Sequence, residues 1–112
     1  MIMNTSIEYL FRDAGNYKVW NNAVICGILT ADQIDTIIDS LDCGLWFLPH
    51  LVGLPEKQFE TWDPELDHPF FELDRSWITT EDLAPTVEMT PEELTQAFAK
   101  QKGRWLWASL AL

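Results

Sequence analysis

Residues Leu29 to Asp42, LTADQIDTIIDSLD, constrain the fold of this chain more than any other stretch. Ile34, Ile37, Ile38 and Leu41 fall at helical spacing and form an apolar stripe. Thr30 is placed as N-cap, Gln33 three residues on closes a capping box, and Leu29 can staple to Ile34. Asp32 in the first turn suits the positive end of the helix dipole, and Cys43-Gly44 supplies a stop, with Gly44 as a left-handed cap. The stretch therefore predicts an amphipathic helix that must seat its isoleucines on another layer.

Partners for that layer lie on either side. Ile7 to Arg12 alternates Ile7, Tyr9 and Phe11 with Glu8, Leu10 and Arg12, which reads as a strand. Asp13-Ala14-Gly15-Asn16 is turn chemistry, and Tyr17 to Ile28 reads as a second strand completing a hairpin. Asn21-Asn22 breaks its apolar pattern, which predicts a bulge or a further tight hairpin, the bulge being preferred. Trp46-Phe47-Leu48 and Phe70 to Leu73 read as short strands, with Trp77-Ile78 extending or pairing with the latter. Thr79 to Pro85 reads as irregular, and Thr86-Val87-Glu88 as a last short strand.

A second helix repeats the start signals of the first. Met89 can staple to Leu94, Thr90 is the N-cap, Pro91 takes the first helical position and Glu93 completes the box. Leu94, Ala97, Phe98, Gln101 and Trp105 form its inner face. The expected fold is a single α+β domain over 1–112: an antiparallel sheet of three to five strands with two helices, in the order β-β-α-β-β-α. Both helices have one apolar stripe and so pack on the same face of the sheet.

The formal net charge of −11 is concentrated in one region. Residues 1–31 are neutral, residues 32–93 carry 16 acids against Lys57 and Arg75, and residues 94–112 carry three bases and no acid. Such a field repels nucleic acid and anionic membranes and attracts basic partners. Apolar residues make up 47% of the chain, so a packed core is expected rather than an acidic tail. The N-terminus has no basic segment followed by a long apolar run, and no stretch reaches the length of a membrane span, so the expected location is the cytoplasm. Cys26 and Cys43 are then expected as free, buried thiols rather than a disulfide.

Catalytic and metal chemistry find little support. His50, Asp67, His68 and Glu72, with Cys26 and Cys43 elsewhere, lack the spacing of a zinc site, and exposed histidines and turn acids are the plainer reading. No serine lies in a nucleophile elbow, no cysteine has a histidine near it, and the glycines form no phosphate loop. A non-catalytic protein without cofactor or metal is expected.

Two binding surfaces follow from residue pattern. Asp32, Asp35, Asp39 and Asp42 fall at steps of three, four and three, so their carboxylates line one helical face about 4.5–6 Å apart along its axis. That spacing resembles phosphates along a nucleic-acid strand, and no base interrupts it at the i+4 position. The expected partner is a basic protein, with Trp46, Phe59 and Trp62 as apolar anchors. A solvated polar face is the plain alternative. The second surface would hold a nucleotide or other small anion between Arg12 and Lys18 and the aromatic residues Tyr9, Tyr17 and Trp20. Its plain alternative is an ordinary hairpin with surface cations. The C-terminal RWLWASLAL carries more apolar residues than one helical face buries, so Trp105–Leu112 either packs on both sides or forms a homo-oligomer contact.

The segments YLFRDAGNYK, LVGLPEKQF and DHPFFEL resemble small proteins of bacterial mobile elements and gut bacteria. That resemblance brings no activity or functional residue with it, but implies a phage or plasmid accessory protein. By size and charge the chain is also similar to DNA-mimicking inhibitors of nucleic-acid enzymes, such as anti-CRISPR proteins. A structural subunit of a larger assembly is the third reading.

Overall fold

The computed structural model describes residues 3–12, 15, 17–56 and 70–105. It is an α+β protein with an antiparallel sheet of five strands and two helices. In order these are β1 (Asn4–Arg12), β2 (Lys18–Ile25), α1 (Ala31–Ser40), β3 (Trp46–Phe47), β4 (Phe71–Glu72), β5 (Ile78–Glu81) and α2 (Pro91–Gln101). Short 3-10 turns occupy Pro49–Val52 and Arg75–Trp77.

β1 is the central strand. β2 pairs along one side of it, while β4 and β5 share the other side, and β3 pairs outside β4. The register shows how β4 and β5 share an edge. Leu10 faces Glu72 and Ile7 faces Ile78, so the five residues Leu73 to Trp77 stand opposite Glu8 and Tyr9 alone. The surplus is taken up by the 3-10 turn, where the Asp74 side chain accepts from the Ser76 N–H at 2.9 Å.

Alternation along β1 sends Ile7, Tyr9 and Phe11 to one face, where they meet Ala23, Ile25, Phe47 and Phe71. Both helices cover this face, with Ile37 and Leu41 from the α1 segment and Leu94, Phe98 and Trp105 from the α2 segment in the same core. Its centre is aromatic: Phe47 lies 5.6 Å from Tyr9, 5.3 Å from Phe98 and 6.3 Å from Trp105 between ring centroids. The two buried polar tips are satisfied, Tyr9 Oη donating to the Pro55 carbonyl and Trp105 Nε1 to the Ser40 carbonyl at 2.6 Å. Trp105 is thus a core residue, which removes it from the proposed oligomer contact; residues 106–112 lie outside the described residues.

Both helix starts form as their sequences require. Thr30 and Gln33, and Thr90 and Glu93, make reciprocal capping boxes, each worth about 1 kcal/mol. Gly103, at φ +74, follows the end of α2. The end of α1 differs from expectation. The helix stops at Ser40 and Leu41 is already extended, because Asp42 enters a tight turn in which its N–H bonds the Trp46 carbonyl at 2.9 Å. Cys43 and Gly44 take the left-handed conformations that this turn needs.

Other sequence expectations need correction. β2 has no bulge at Asn21-Asn22: pairing runs unbroken from Thr5 opposite Ile25 to Arg12 opposite Lys18. The polar pair is absorbed instead by hydrogen bonding, Asn22 Nδ2 donating to Ser6 Oγ at 2.9 Å. Ile78 is in a strand, as expected, but Thr79 to Glu81, expected to be irregular, continue it as β5, whereas Thr86 and Val87 form no strand but donate their N–H groups to the Val24 carbonyl. Cys26 and Cys43 are free, as expected, but exposed rather than buried, one just beyond β2 and one in the left-handed turn. Among the described residues, no helix is long and apolar enough to cross a membrane.

Candidate functional site: an acidic pole at the helix N-termini

The two helices run in the same direction. At one end, a Cβ on Gly27, three residues before the α1 N-cap, would stand 3.3 Å from the Pro91 ring at the start of α2. At the other end, Lys102 Nζ lies 2.5 Å from Asp39 Oδ2, and Trp105 reaches the last carbonyl of α1. Side-by-side helices of like direction bring both N-termini to one pole of the domain.

Several segments are tied to that pole. Cys26 N–H donates to the Met89 carbonyl at 3.0 Å, fixing the approach to α2. Asn4 bridges two loops: its Oδ1 accepts from Gly27 N–H at 2.9 Å and its Nδ2 donates to the Leu83 carbonyl at 2.8 Å. Thr5 Oγ1 donates to the Gly27 carbonyl and accepts from Leu29 N–H, locking the entry to α1.

These ties place Asp32, Glu81, Asp82, Glu88, Glu92 and Glu93 at the same end, all exposed. Among the described residues none of the six has an ion-pair partner. Three belong to first helical turns, where the dipoles favour negative charge. Two large apolar side chains stand exposed among them, Ile28 at 53% and Leu83 at 48%. Asn4, Asp82, Leu83, Ala84 and Pro85 line an open recess there. The combination suits a cationic segment with apolar side chains between its charges.

The aspartate stripe is placed differently from expectation. Asp32, Asp35, Asp39 and Asp42 are all exposed, but Asp42 is outside the helix. Asp35 is paired with Arg75 and Asp39 with Lys102, cations 40 and 63 residues away in sequence. The face that has no local cation thus receives two by folding, and only Asp32 belongs to the pole. Trp46, in register with Glu72 and Leu10, lies on the sheet face turned away from the helices, so it does not accompany the stripe. Phe59 and Trp62 lie outside the described residues.

The sheet also divides the anion-binding set. Tyr9 is fully buried on the helix-covered face, and its hydroxyl pKa is pushed up by burial and by the nearby Glu56 charge. Arg12, Lys18 and Trp20 are on the opposite face. There Arg12 is committed to Glu72 at 2.9 Å, a hydrogen bond that holds its guanidinium further above its ordinary value. Trp20 packs edge-on against Trp77 at 4.9 Å over Leu10, and Tyr17, exposed, precedes β2.

The metal candidates are likewise separated by their partners. His50 Nδ1 contacts Glu56 at 2.5 Å, and the same carboxylate caps the His50 N–H at 2.9 Å, while Glu72 holds Arg12. Asp67 and His68 lie outside the described residues. Among the described residues, no three His, Cys, Asp or Glu side chains converge as a metal site.

Sequence reading found Asp32 but missed the pole. The acid-rich first turn of the second helix was visible; its position beside the first helix was not. Comparison with known protein families, characterised proteins and solved structures finds no match.

Proposed function

We propose that this is a non-catalytic binding protein that engages a basic surface of a partner protein through its acidic pole. The observation that carries the reading is the gathering of six exposed carboxylates, without cation partners among the described residues, around Ile28 and Leu83. Charge at this density speeds encounter with a basic surface, and the two apolar side chains supply contacts that pure charge attraction lacks. A nucleic-acid-binding groove is the basic surface this arrangement suits best. That agrees with the resemblance to proteins of mobile elements and with the role of an inhibitor occupying such a groove.

The test compares three baits in pull-downs from a host lysate at low and high salt: the wild type, a pole variant (Glu81→Gln, Asp82→Asn, Glu88→Gln, Glu92→Gln) and an α1 variant (Asp35→Asn, Asp39→Asn, Asp42→Asn). Glu93 is left intact because it closes the α2 capping box. A basic nucleic-acid-binding protein should be held by the wild type and the α1 variant, released by salt, and lost from the pole variant. Equal recovery by the pole variant, or no retained protein at all, would overturn the proposal.

A further inference from the structure

Among the described residues, β2 is an edge strand whose outer side is covered over only half its length. Val24 N–H donates to Thr86 Oγ1 at 2.9 Å, the Val24 carbonyl accepts from Thr86 and Val87, and Cys26 N–H donates to Met89. Strand alternation turns the N–H and C=O groups of Lys18, Trp20 and Asn22 the same way as those of Val24. Among the described residues no hydrogen bond reaches these outward backbone groups. The open window runs from Lys18 to Asn22 and is centred on Trp20.

The charges around the window are unbalanced in an informative way. Residues 14–31 contain no acid in a chain of net charge −11, and Lys18 is their one charged side chain. Lys18 stands directly opposite Arg12, a like-charge cross-strand pair, and Arg12 is already held by Glu72. Glu8, opposite Asn22, is exposed. Among the described residues neither Lys18 nor Glu8 has an ion-pair partner.

We propose that a second copy of this chain adds to the β2 edge, antiparallel, with a two-fold axis through the Trp20 pair. In that register Trp20 faces Trp20 of the second copy, and Lys18 faces Asn22 of the second copy. Each window covers the other end to end, forming about six new backbone hydrogen bonds. Glu8 of the second copy then falls two strand spacings from Lys18, about 10 Å between Cα atoms, a gap that extended Lys and Glu side chains close. The symmetry makes this ion pair twice, relieving the Lys18–Arg12 opposition in both copies. The Trp20–Trp77 contact on each side extends into one row of four indoles across the joined sheet. A lysine on an edge strand ordinarily blunts it against pairing; the two-fold axis supplies this lysine with an acid.

Sedimentation velocity over a concentration series from low micromolar to sub-millimolar tests the proposal. The wild type should dimerise. Lys18→Glu and Glu8→Lys, both at exposed positions, should each raise the dimer Kd about tenfold or more. The combined charge swap should restore most of the affinity, with circular dichroism confirming an unchanged fold. Amide exchange at Trp20 and Asn22 should slow as concentration rises. A wild type that is monomeric throughout, a dimer indifferent to both single reversals, or a swap that restores nothing would each overturn it.

Discussion

Replacing Trp105 with Phe isolates one bond that closes the helical layer. The indole Nε1 donates to the carbonyl of Ser40, the last residue of α1, and Ser40 is 2% exposed. A helix leaves its final carbonyls without intrahelical partners, and this one is shielded from water. Phe keeps a ring against Phe47 and Phe98 but strands the carbonyl, which costs about 1–3 kcal/mol, and the smaller ring forfeits about 1 kcal/mol of packing. The expected loss is about 2–4 kcal/mol, a large share of the roughly 5–15 kcal/mol typical of a domain. It should lower Tm by about 8–16 °C. Urea unfolding followed by far-UV circular dichroism measures the loss without relying on tryptophan emission, and the slope m should stay constant. A loss below about 0.5 kcal/mol at unchanged m would refute the reasoning, since the Ser40 carbonyl would then have found another partner at no cost.

Two further outcomes follow from groups described above. Burial raises the Tyr9 pKa, so the unfolded chain ionises this residue first; its contribution is complete below about pH 10, the unfolded value, and declines as pH rises through the folded value. Tyr9→Phe should therefore flatten the alkaline loss of stability, at a cost of about 1 kcal/mol at neutral pH for the bond to Pro55, and denaturant titrations near neutrality and above pH 10 compare the two proteins. Gly44→Ala meets open space and should cost the left-handed strain of about 1–2 kcal/mol, and Gly53→Ala, at φ +79, should cost about the same, because the Met89 methyl that a Cβ would meet at 2.6 Å is the end of a flexible side chain that can move aside; thermal shifts near zero in either variant would contradict that reading.

How far the sequence speaks depends on the range of the interaction involved. Thr30 with Gln33 and Thr90 with Glu93 were legible because a capping box is closed within four residues. The inward set Ile7, Tyr9 and Phe11 was legible because a period of two is local. The same period already separates Tyr9 from Arg12, so the anion-binding set was inconsistent with its own strand. By contrast, the apolar run at Phe70 to Leu73 marked β4 but not its partner, and β5 beyond Ile78 owes its existence to pairing with β1 across more than seventy residues, since Thr79-Thr80-Glu81 carries no apolar pattern of its own. The aspartate face looked bare of cations because Arg75 and Lys102 come from distant segments. The acidic pole depends on helix direction, which neither helical stretch encodes alone.

The place of β1 at the centre of the sheet has a consequence for synthesis. Its pairing with β2 closes only the short connection between Arg12 and Lys18, whereas its pairing with β5 joins Asn4 to Glu81. Loop closure costs grow with length, so the hairpin is the cheap first step and the far side of β1 is completed late. On a ribosome adding about 5–20 residues per second, the far edge of β1 waits on the order of 3–14 s for β5. During that interval a nearly finished apolar strand presents an open edge to its surroundings, enclosed on its far side only once β5 arrives.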